Sequence, residues 1–275
     1  MIIEGFEIGQ LYVKGEYKMD TRYIISSDGA KIAYSVAGKG PALLLVHGGA
    51  GRYNRKLWND TNWVKILSEK FFLIMTDIRG YGDSDKSEEP SFYSVENIME
   101  DFNNILKDCN MESCYYFGWS YGATIGFQML KNNNKIKKAV CAGSCLGDYF
   151  FKFVAPKMLD NYEKLNYHKR TNSLDEVDLT YEYKLWIKET NLEILIAQYK
   201  AWQNWPCITP VDIDTKLAIY SGTNDNSELL KQLNFQKEEL NKYNINLKIF
   251  NDLDHYGLIN NVDVVLPWVL KQFNE

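Results

Sequence analysis

The apolar positions of this chain fall into two rhythms. Arg22–Ile25 and residues 30–36 flank Ser27-Asp28-Gly29, a turn signal, and together they read as a β-hairpin; the stretch ahead of them is a candidate extra edge strand. Beyond it the pattern changes. Ala42–Val46 and residues 71–75 are short continuous apolar runs, which mark strands buried on both faces of a parallel sheet. Helical stretches separate such runs: residues 94–102 start with Ser94 as an N-cap and space their apolar residues along one helix face, ahead of a further strand at residues 114–117. Strand and helix alternate through about Gly143, which predicts βαβ units and a doubly wound sheet.

Between residues 146 and 210 that alternation stops and the chain becomes aromatic and charged, with Tyr149, Phe150, Phe151, Phe153, Trp186, Trp202 and Trp205. This segment is expected to be an inserted helical cap, leaving residues 1–145 and 211–275 as the core. The α/β rhythm resumes with a strand at residues 216–220, a helix near 227–243, a strand at Asn246–Phe250 and a closing helix over 263–273. The fold class expected is α/β, a mostly parallel doubly wound sheet of about eight strands. A chain of 275 residues is long enough for one such core.

Composition narrows the function. Apolar residues at 45% and charged residues at 24% are ordinary globular usage. With 31 basic against 36 acidic residues and no dense Lys/Arg cluster, nucleic acid is not an expected partner. No apolar stretch approaches the roughly 20 residues that cross a bilayer, and residues 1–10 lack the pattern of a secretory signal. Five cysteines, an odd number, suit reduced thiols in a cytoplasm. Cys141 and Cys145 have a metal-like spacing, but Cys141 belongs to an apolar strand and no histidine nearby completes a site, so no metal is expected.

The chemistry concentrates at Gly118-Trp119-Ser120-Tyr121-Gly122, placed directly after one predicted strand and directly before a predicted helix. A serine on so sharp a turn sits in a strained backbone conformation, and glycines two before and two after it avoid collisions. Its hydroxyl then projects above the sheet, beside unpaired N–H groups and the positive end of the helix, which favour an oxyanion. Such a hydroxyl needs a base within hydrogen-bond reach. Of three histidines, His255 lies in a loop after a late strand, at the carboxyl edge where α/β sheets hold ligands; His47 before Gly48-Gly49 reads as a structural brace, and His168 as a solvated residue of the cap. For the carboxylate that fixes the imidazole tautomer, Asp225 after the strand at 216–220 fits best, with Asp148 the main rival and Asp252 and Asp254 too close to His255 in sequence. The backbone N–H of Tyr121 and that of Gly49 in His47-Gly48-Gly49-Ala50-Gly51 are the expected oxyanion hole. Trp119 and Gly48 are candidates to contact substrate.

On these residues the sequence resembles the α/β-hydrolase superfamily, specifically its cap-bearing branch. Besides the elbow around Ser120, the resemblance rests on the His47-Gly48 loop after the third strand, Asp77-Ile78-Arg79-Gly80-Tyr81-Gly82-Asp83-Ser84 after the fourth, and Gly222 to Asp225 followed by His255. The stretch from Asp77 to Ser84 is assigned to structure. Serine at the elbow argues against the dehalogenase and epoxide-hydrolase relatives, which use a carboxylate nucleophile. The resemblance therefore implies acyl transfer to water without cofactor, on a small, partly apolar carboxylic ester. Carbon–carbon bond hydrolysis and two further alternatives stand beside it. The loop His47-Gly48-Gly49-Ala50-Gly51 is similar to the His-Gly-Gly-Pro-Gly loop of proline iminopeptidases, with Ala50 in place of proline, and an aminopeptidase would take a cap acid such as Glu163, Asp175, Glu176 or Glu182 for the substrate amine. The fold also serves as a ligand receptor with slow hydrolysis.

Overall fold

In the computed structural model, which describes residues 19–132 and 135–274, the apolar runs form the middle of one eight-stranded sheet. Its strands are β1 (Arg22–Ile25), β2 (Lys31–Ala37), β3 (Ala42–Val46), β4 (Phe72–Thr76), β5 (Cys114–Trp119), β6 (Ile136–Ala142), β7 (Lys216–Gly222) and β8 (Asn246–Phe250), in spatial order β1-β2-β4-β3-β5-β6-β7-β8. The expected hairpin β1–β2 is antiparallel, β2 pairs antiparallel with β4, and every later pairing is parallel. The extra edge strand suggested for the opening of the chain lies outside the described residues.

Strand parity divides the core in two. Leu44, Val46 and Ile74 face one layer, while Leu43, Leu45, Leu73 and Met75 face the other, so a continuous apolar run serves both. After β3 come α1 (Leu57–Asp60) and α2 (Trp63–Leu67), after β4 comes α3 (Val95–Asp108), and after β5 comes α4 (Tyr121–Asn132). A π-helical turn at Phe150–Val154 leads into α5 (Ala155–Arg170), α6 (Tyr181–Glu189) and α7 (Leu192–Trp202), all between β6 and β7. The chain then makes α8 (Ser227–Lys242), and α9 (Gly257–Asn260) and α10 (Val262–Asn274) follow β8. Helices α3, α4 and α8 bury their apolar faces on one side of the sheet and α1, α2 and α10 on the other. Ser94 caps α3 as its sequence predicts, its hydroxyl accepting the N–H of Asn97 at 3.2 Å.

The turn from Asp77 to Ser84 is held by buried charges. Arg79 donates to both carboxylate oxygens of Asp101 at 2.7 Å, to Asp28 at 2.7 Å and to the carbonyl of Phe92 at 2.7 Å. Asp77 pairs with Arg55 and accepts the backbone N–H of Asp83 at 2.7 Å. A feature absent from the apolar pattern closes the base of the helical stretch: Gly147 and Ile208 form a single antiparallel bridge, with Gly147 N–H donating at 2.7 Å. Among the described residues no helix is long and apolar enough to cross a membrane.

Candidate active site

The carboxyl ends of β3, β5, β6, β7 and β8 converge on one edge of the sheet, and their following loops supply the site. At the end of β5, Ser120 adopts φ 56, a left-handed conformation that costs a non-glycine residue about 1–3 kcal/mol. Its neighbours explain how the turn closes. A Cβ at Gly118 would stand 2.4 Å from the carbonyl oxygen of Gly122, and one at Gly122 would stand 2.2 Å from that of Val46, so neither position admits a side chain. The Ser120 N–H is anchored to the carbonyl of Ala142 at 2.7 Å.

His255 Nε2 lies 3.0 Å from Ser120 Oγ, and its Nδ1 lies 3.0 Å from Asp225 Oδ1. Asp225 also accepts the hydroxyl of Ser221 at 2.8 Å and the backbone N–H of Asn226 at 2.7 Å. Burial pushes this carboxyl up, but the imidazole of His255 and those two donors outweigh it and hold Asp225 below the usual carboxylate range. An ionised Asp225 makes Nδ1 the protonated nitrogen, which leaves the Nε2 lone pair aimed at the serine hydroxyl.

The other candidates are placed elsewhere. Asp148 pairs with Lys152 at 2.5 Å on the surface. Asp254 accepts the N–H of Gly257 at 2.6 Å, and the carboxylate of Asp252 is exposed. His47 is fully buried: its Nε2 accepts the N–H of Ile78 at 3.2 Å, so its Nδ1 carries the proton and donates to the carbonyl of Gly48 at 2.6 Å. Desolvation pushes its pKa down and keeps it neutral. His168 is bonded to Ser173 at the end of α5.

Gly49 abuts the start of α4, where a Cβ would lie 3.2 Å from Cβ of Tyr121. The Gly49 loop and the first turn of α4, whose N–H groups have no partner one turn earlier, thus meet beside Ser120. The Tyr121 side chain points toward the helices between β6 and β7. Its hydroxyl accepts the indole N–H of Trp202 at 3.0 Å and the rings stand 4.2 Å apart, while Phe150 and Tyr199 pack on Trp202 at 5.1 Å and 4.5 Å. From the same loop, the Arg52 guanidinium lies 4.7 Å from the ring centroid of Trp186 in α6.

Trp119 and Gly48, expected to contact substrate, are both buried beside Ser120 and His255. Trp119 is 1% exposed and shares its strand face with Phe117, in the layer opposite Tyr121. Its indole N–H donates to the main-chain carbonyl of His255 at 3.1 Å, and its ring lies 5.3 Å from the imidazole. Gly48 is packed on that indole, where a Cβ would come within 2.8 Å of the ring. Period-two alternation turns residue 119 to the face of residue 117, and a Cβ at Gly48 would also stand 3.3 Å from Cβ of Ser120.

Gly143 belongs to the site and carries no chemical signal in the sequence. It follows β6 with φ 67, and a Cβ there would stand 2.8 Å from Cε1 of His255. Only its position after an apolar strand could have pointed to it. The four acids weighed for a substrate amine, Glu163, Asp175, Glu176 and Glu182, are all exposed, Glu163 pairing with Lys200 at 3.1 Å.

A family model described as alpha/beta hydrolase fold matches residues 41–204. Among curated proteins, an uncharacterized hydrolase of Bacillus subtilis (strain 168), YraK, is 33% identical over 104 residues, 37% of this chain and 36% of that protein. Epoxide hydrolase 3 of Siraitia grosvenorii is 30% identical over 107 residues, 38% of this chain and 32% of that protein. The chain thus matches about a third of the length of these relatives. Among solved structures, epoxide hydrolase VrEH1 from Vigna radiata superposes with a TM-score of 0.69 at 15% identity, covering 94% of this chain and 99% of that one. A hydrolase from Pseudomonas aeruginosa PA01 does so at 0.68 and 17%, covering 93% and 99%. At these identities the superpositions speak for the fold alone.

Proposed function

The chain belongs to the α/β-hydrolase fold family, and on that premise we propose that it is a serine hydrolase cleaving a small, partly apolar carboxylic ester through an acyl-enzyme on Ser120. The observation that carries this reading is the unbroken line from Asp225 through His255 to Ser120, with both links at 3.0 Å. In this mechanism Ser120 Oγ attacks the ester carbonyl as its proton passes to His255 Nε2, and the imidazolium formed is stabilised by Asp225. The tetrahedral oxyanion is met by the N–H groups of Tyr121 and Gly49. His255 returns the proton to the departing alcohol, then takes one from water, which attacks the acyl group and frees Ser120.

Residues 146–210 act in this reading as a cap over a core of residues 1–145 and 211–275, their aromatics meeting Tyr121 above the site. Some relatives carry the name epoxide hydrolase, but residue 120 offers a hydroxyl where such enzymes use a carboxylate. An aminopeptidase is less well supported, since each acid considered for a substrate amine is exposed. Five free thiols suit a reducing cytoplasm.

The test is steady-state hydrolysis of p-nitrophenyl esters beside alanyl and prolyl p-nitroanilides, with Ser120→Ala as control. Repeated ester turnover that disappears in the variant is the expected result. Anilide turnover favours the aminopeptidase; a single turnover with product retained favours a receptor; ester turnover equal in the variant removes Ser120 from the chemistry.

A further inference from the structure

The turn from Asp77 to Ser84 carries one side chain that its ion pairs leave unexplained. Tyr81 is 2% exposed, and its hydroxyl donates to Oε1 of Gln198 in α7 at 2.6 Å. The same oxygen stands 3.1 Å from where a Cβ of Gly49 would be, and the N–H of Gly51 faces it. Tyr81 thus lies between α7 and the loop that supplies one of the two N–H groups of the proposed oxyanion hole. The residue that supplies the other is tied to the same helix, since the Tyr121 hydroxyl accepts the indole N–H of Trp202 at 3.0 Å.

Leu195, Gln198 and Trp202 are spaced three and four residues apart, which places them on one face of α7. Leu195 meets the loop as well, its methyl groups 3.4 Å from where a Cβ of Gly51 would stand. Gln198 is the costly member of that face. It is fully buried, and its Nε2 makes no well-formed hydrogen bond among the described residues. The Tyr93 hydroxyl beside it is already engaged with Ser87, accepting the N–H at 3.1 Å and donating to the carbonyl at 2.6 Å. An amide buried with one end unpaired is destabilising, and a methionine of similar length would avoid that cost. The turn is shaped around it all the same, because a Cβ at Gly80 would collide with that nitrogen. What glutamine supplies and methionine could not is an acceptor for Tyr81.

We propose that this face of α7 fixes the spacing of the two oxyanion donors: Gln198 acts through Tyr81 on the Gly49 loop, Trp202 acts through Tyr121, and all three of Tyr81, Gln198 and Trp202 are positioning residues. The proposal rests on acylation of Ser120 as set out above. A donor N–H stabilises a tetrahedral oxyanion only when it lies about 2.7–3.1 Å from the place that oxygen comes to occupy. The planar carbonyl of the bound ester draws less from the same donors, so loosening them lowers kcat and leaves KM nearly unchanged. Removing a donor outright costs roughly a hundredfold or more, and letting one drift costs a part of that, about tenfold.

The experiment measures p-nitrophenyl ester hydrolysis together with inhibition by a trifluoromethyl ketone, whose adduct with Ser120 carries a tetrahedral oxyanion. It compares the wild type with Gln198→Met, Tyr81→Phe, the double variant and Trp202→Phe, each checked for folding by circular dichroism and thermal unfolding. Each single variant should lower kcat about tenfold with KM within about twofold, and Ki should rise by the factor by which kcat/KM falls. The double variant should fall no further than Gln198→Met or Tyr81→Phe alone, because both remove the same bond. Gln198→Met should unfold no earlier than the wild type. A lowered kcat with unchanged Ki would mean fewer active molecules, not displaced donors, and overturns the proposal; so does a loss confined to one of the two arms. Wild-type kcat and Ki in all the folded variants, with turnover still abolished in Ser120→Ala, overturn it and leave the esterase standing. Absence of Ser120-dependent turnover on every ester overturns both.

Discussion

The indole N–H of Trp119 donates to the main-chain carbonyl of His255 at 3.1 Å, tying the residue before Ser120 to the histidine that faces the Ser120 hydroxyl. Trp119 immediately precedes Ser120 on β5, so one strand end carries the proposed nucleophile on one side and pins the loop of the proposed base on the other. Its ring, tilted 37° to the imidazole at 5.3 Å, would also offer an aromatic face to the imidazolium of the proposed acylation. Trp119→Phe keeps a ring and removes the N–H. Because an error of about 1 Å in placement can cost roughly a hundredfold, kcat should fall between about tenfold and a hundredfold. The pH dependence of kcat/KM should shift as well, which a packing defect alone would not cause. An unchanged kcat and profile would deny Trp119 a part in placing the base.

Gly143 gives a sharper steric test. Alanine there must hold φ near 67 and must also displace the His255 ring, since its Cβ would stand 2.8 Å from Cε1. Gly29→Ala separates the two effects: Gly29 also has positive φ, 85, but nothing lies within 4 Å of its Cβ position. Both variants should lose about 1–2 kcal/mol from the left-handed conformation, measured as a shift in urea midpoint. Gly143→Ala should in addition lose at least a hundredfold in kcat. Equal activity in the two would mean the imidazole moves aside without consequence.

Much of this arrangement was legible in the sequence because local rules and the fold agree. Apolar runs in β3 and β4 predicted strands covered on both faces, and glycines at 118 and 122 predicted a turn that tolerates no Cβ. The spacing of strand ends also drew attention to Ser120, Asp225 and His255, which the structure brings into one hydrogen-bonded line. Trp119 follows strand parity, which turns it to the side of Phe117, away from the layer of Tyr121. Gly143 could not be found, since its contact with His255 spans two crossovers of the sheet and depends on a backbone angle that no side-chain pattern reports.

The buried pair under the turn at Asp77 to Ser84 should dominate stability there. Arg79→Leu strands Asp101, which is 2% exposed, with the Ser26 hydroxyl as its remaining side-chain hydrogen-bond donor among the described residues. Breaking one side of a buried pair costs about 3–5 kcal/mol, which for a chain near this size lowers Tm by roughly 10 °C. Burial already pushes the Asp101 carboxyl up against the pull of Arg79. Without Arg79 it should protonate in the folded state, so the deficit should widen as pH rises from 5 to 8. Calorimetry on Arg79→Leu and on the double variant with Asp101→Leu checks this: the double variant should recover much of the loss, and a larger loss in it would contradict the pair.

Acid should weaken the fold partly through Asp225. Its folded carboxyl titrates below the reference for an unfolded aspartate, about 3.9, because the His255 imidazole, Asn226 N–H and Ser221 hydroxyl outweigh its burial. The unfolded chain therefore binds this proton first as pH falls. The stabilisation is fully present above about pH 4 and is lost as pH falls through the lowered folded value. Asp225→Asn removes the titration. His47, which burial keeps neutral, is destabilising to both proteins alike once the unfolded histidine protonates below about pH 6.5, so it cancels in the comparison. The Tm difference between wild type and Asp225→Asn should stay constant between pH 5 and 4, then shrink toward pH 2. Thermal unfolding across that range measures it directly, and a difference that stays level down to pH 2 would show that the carboxylate is not held ionised by its three partners.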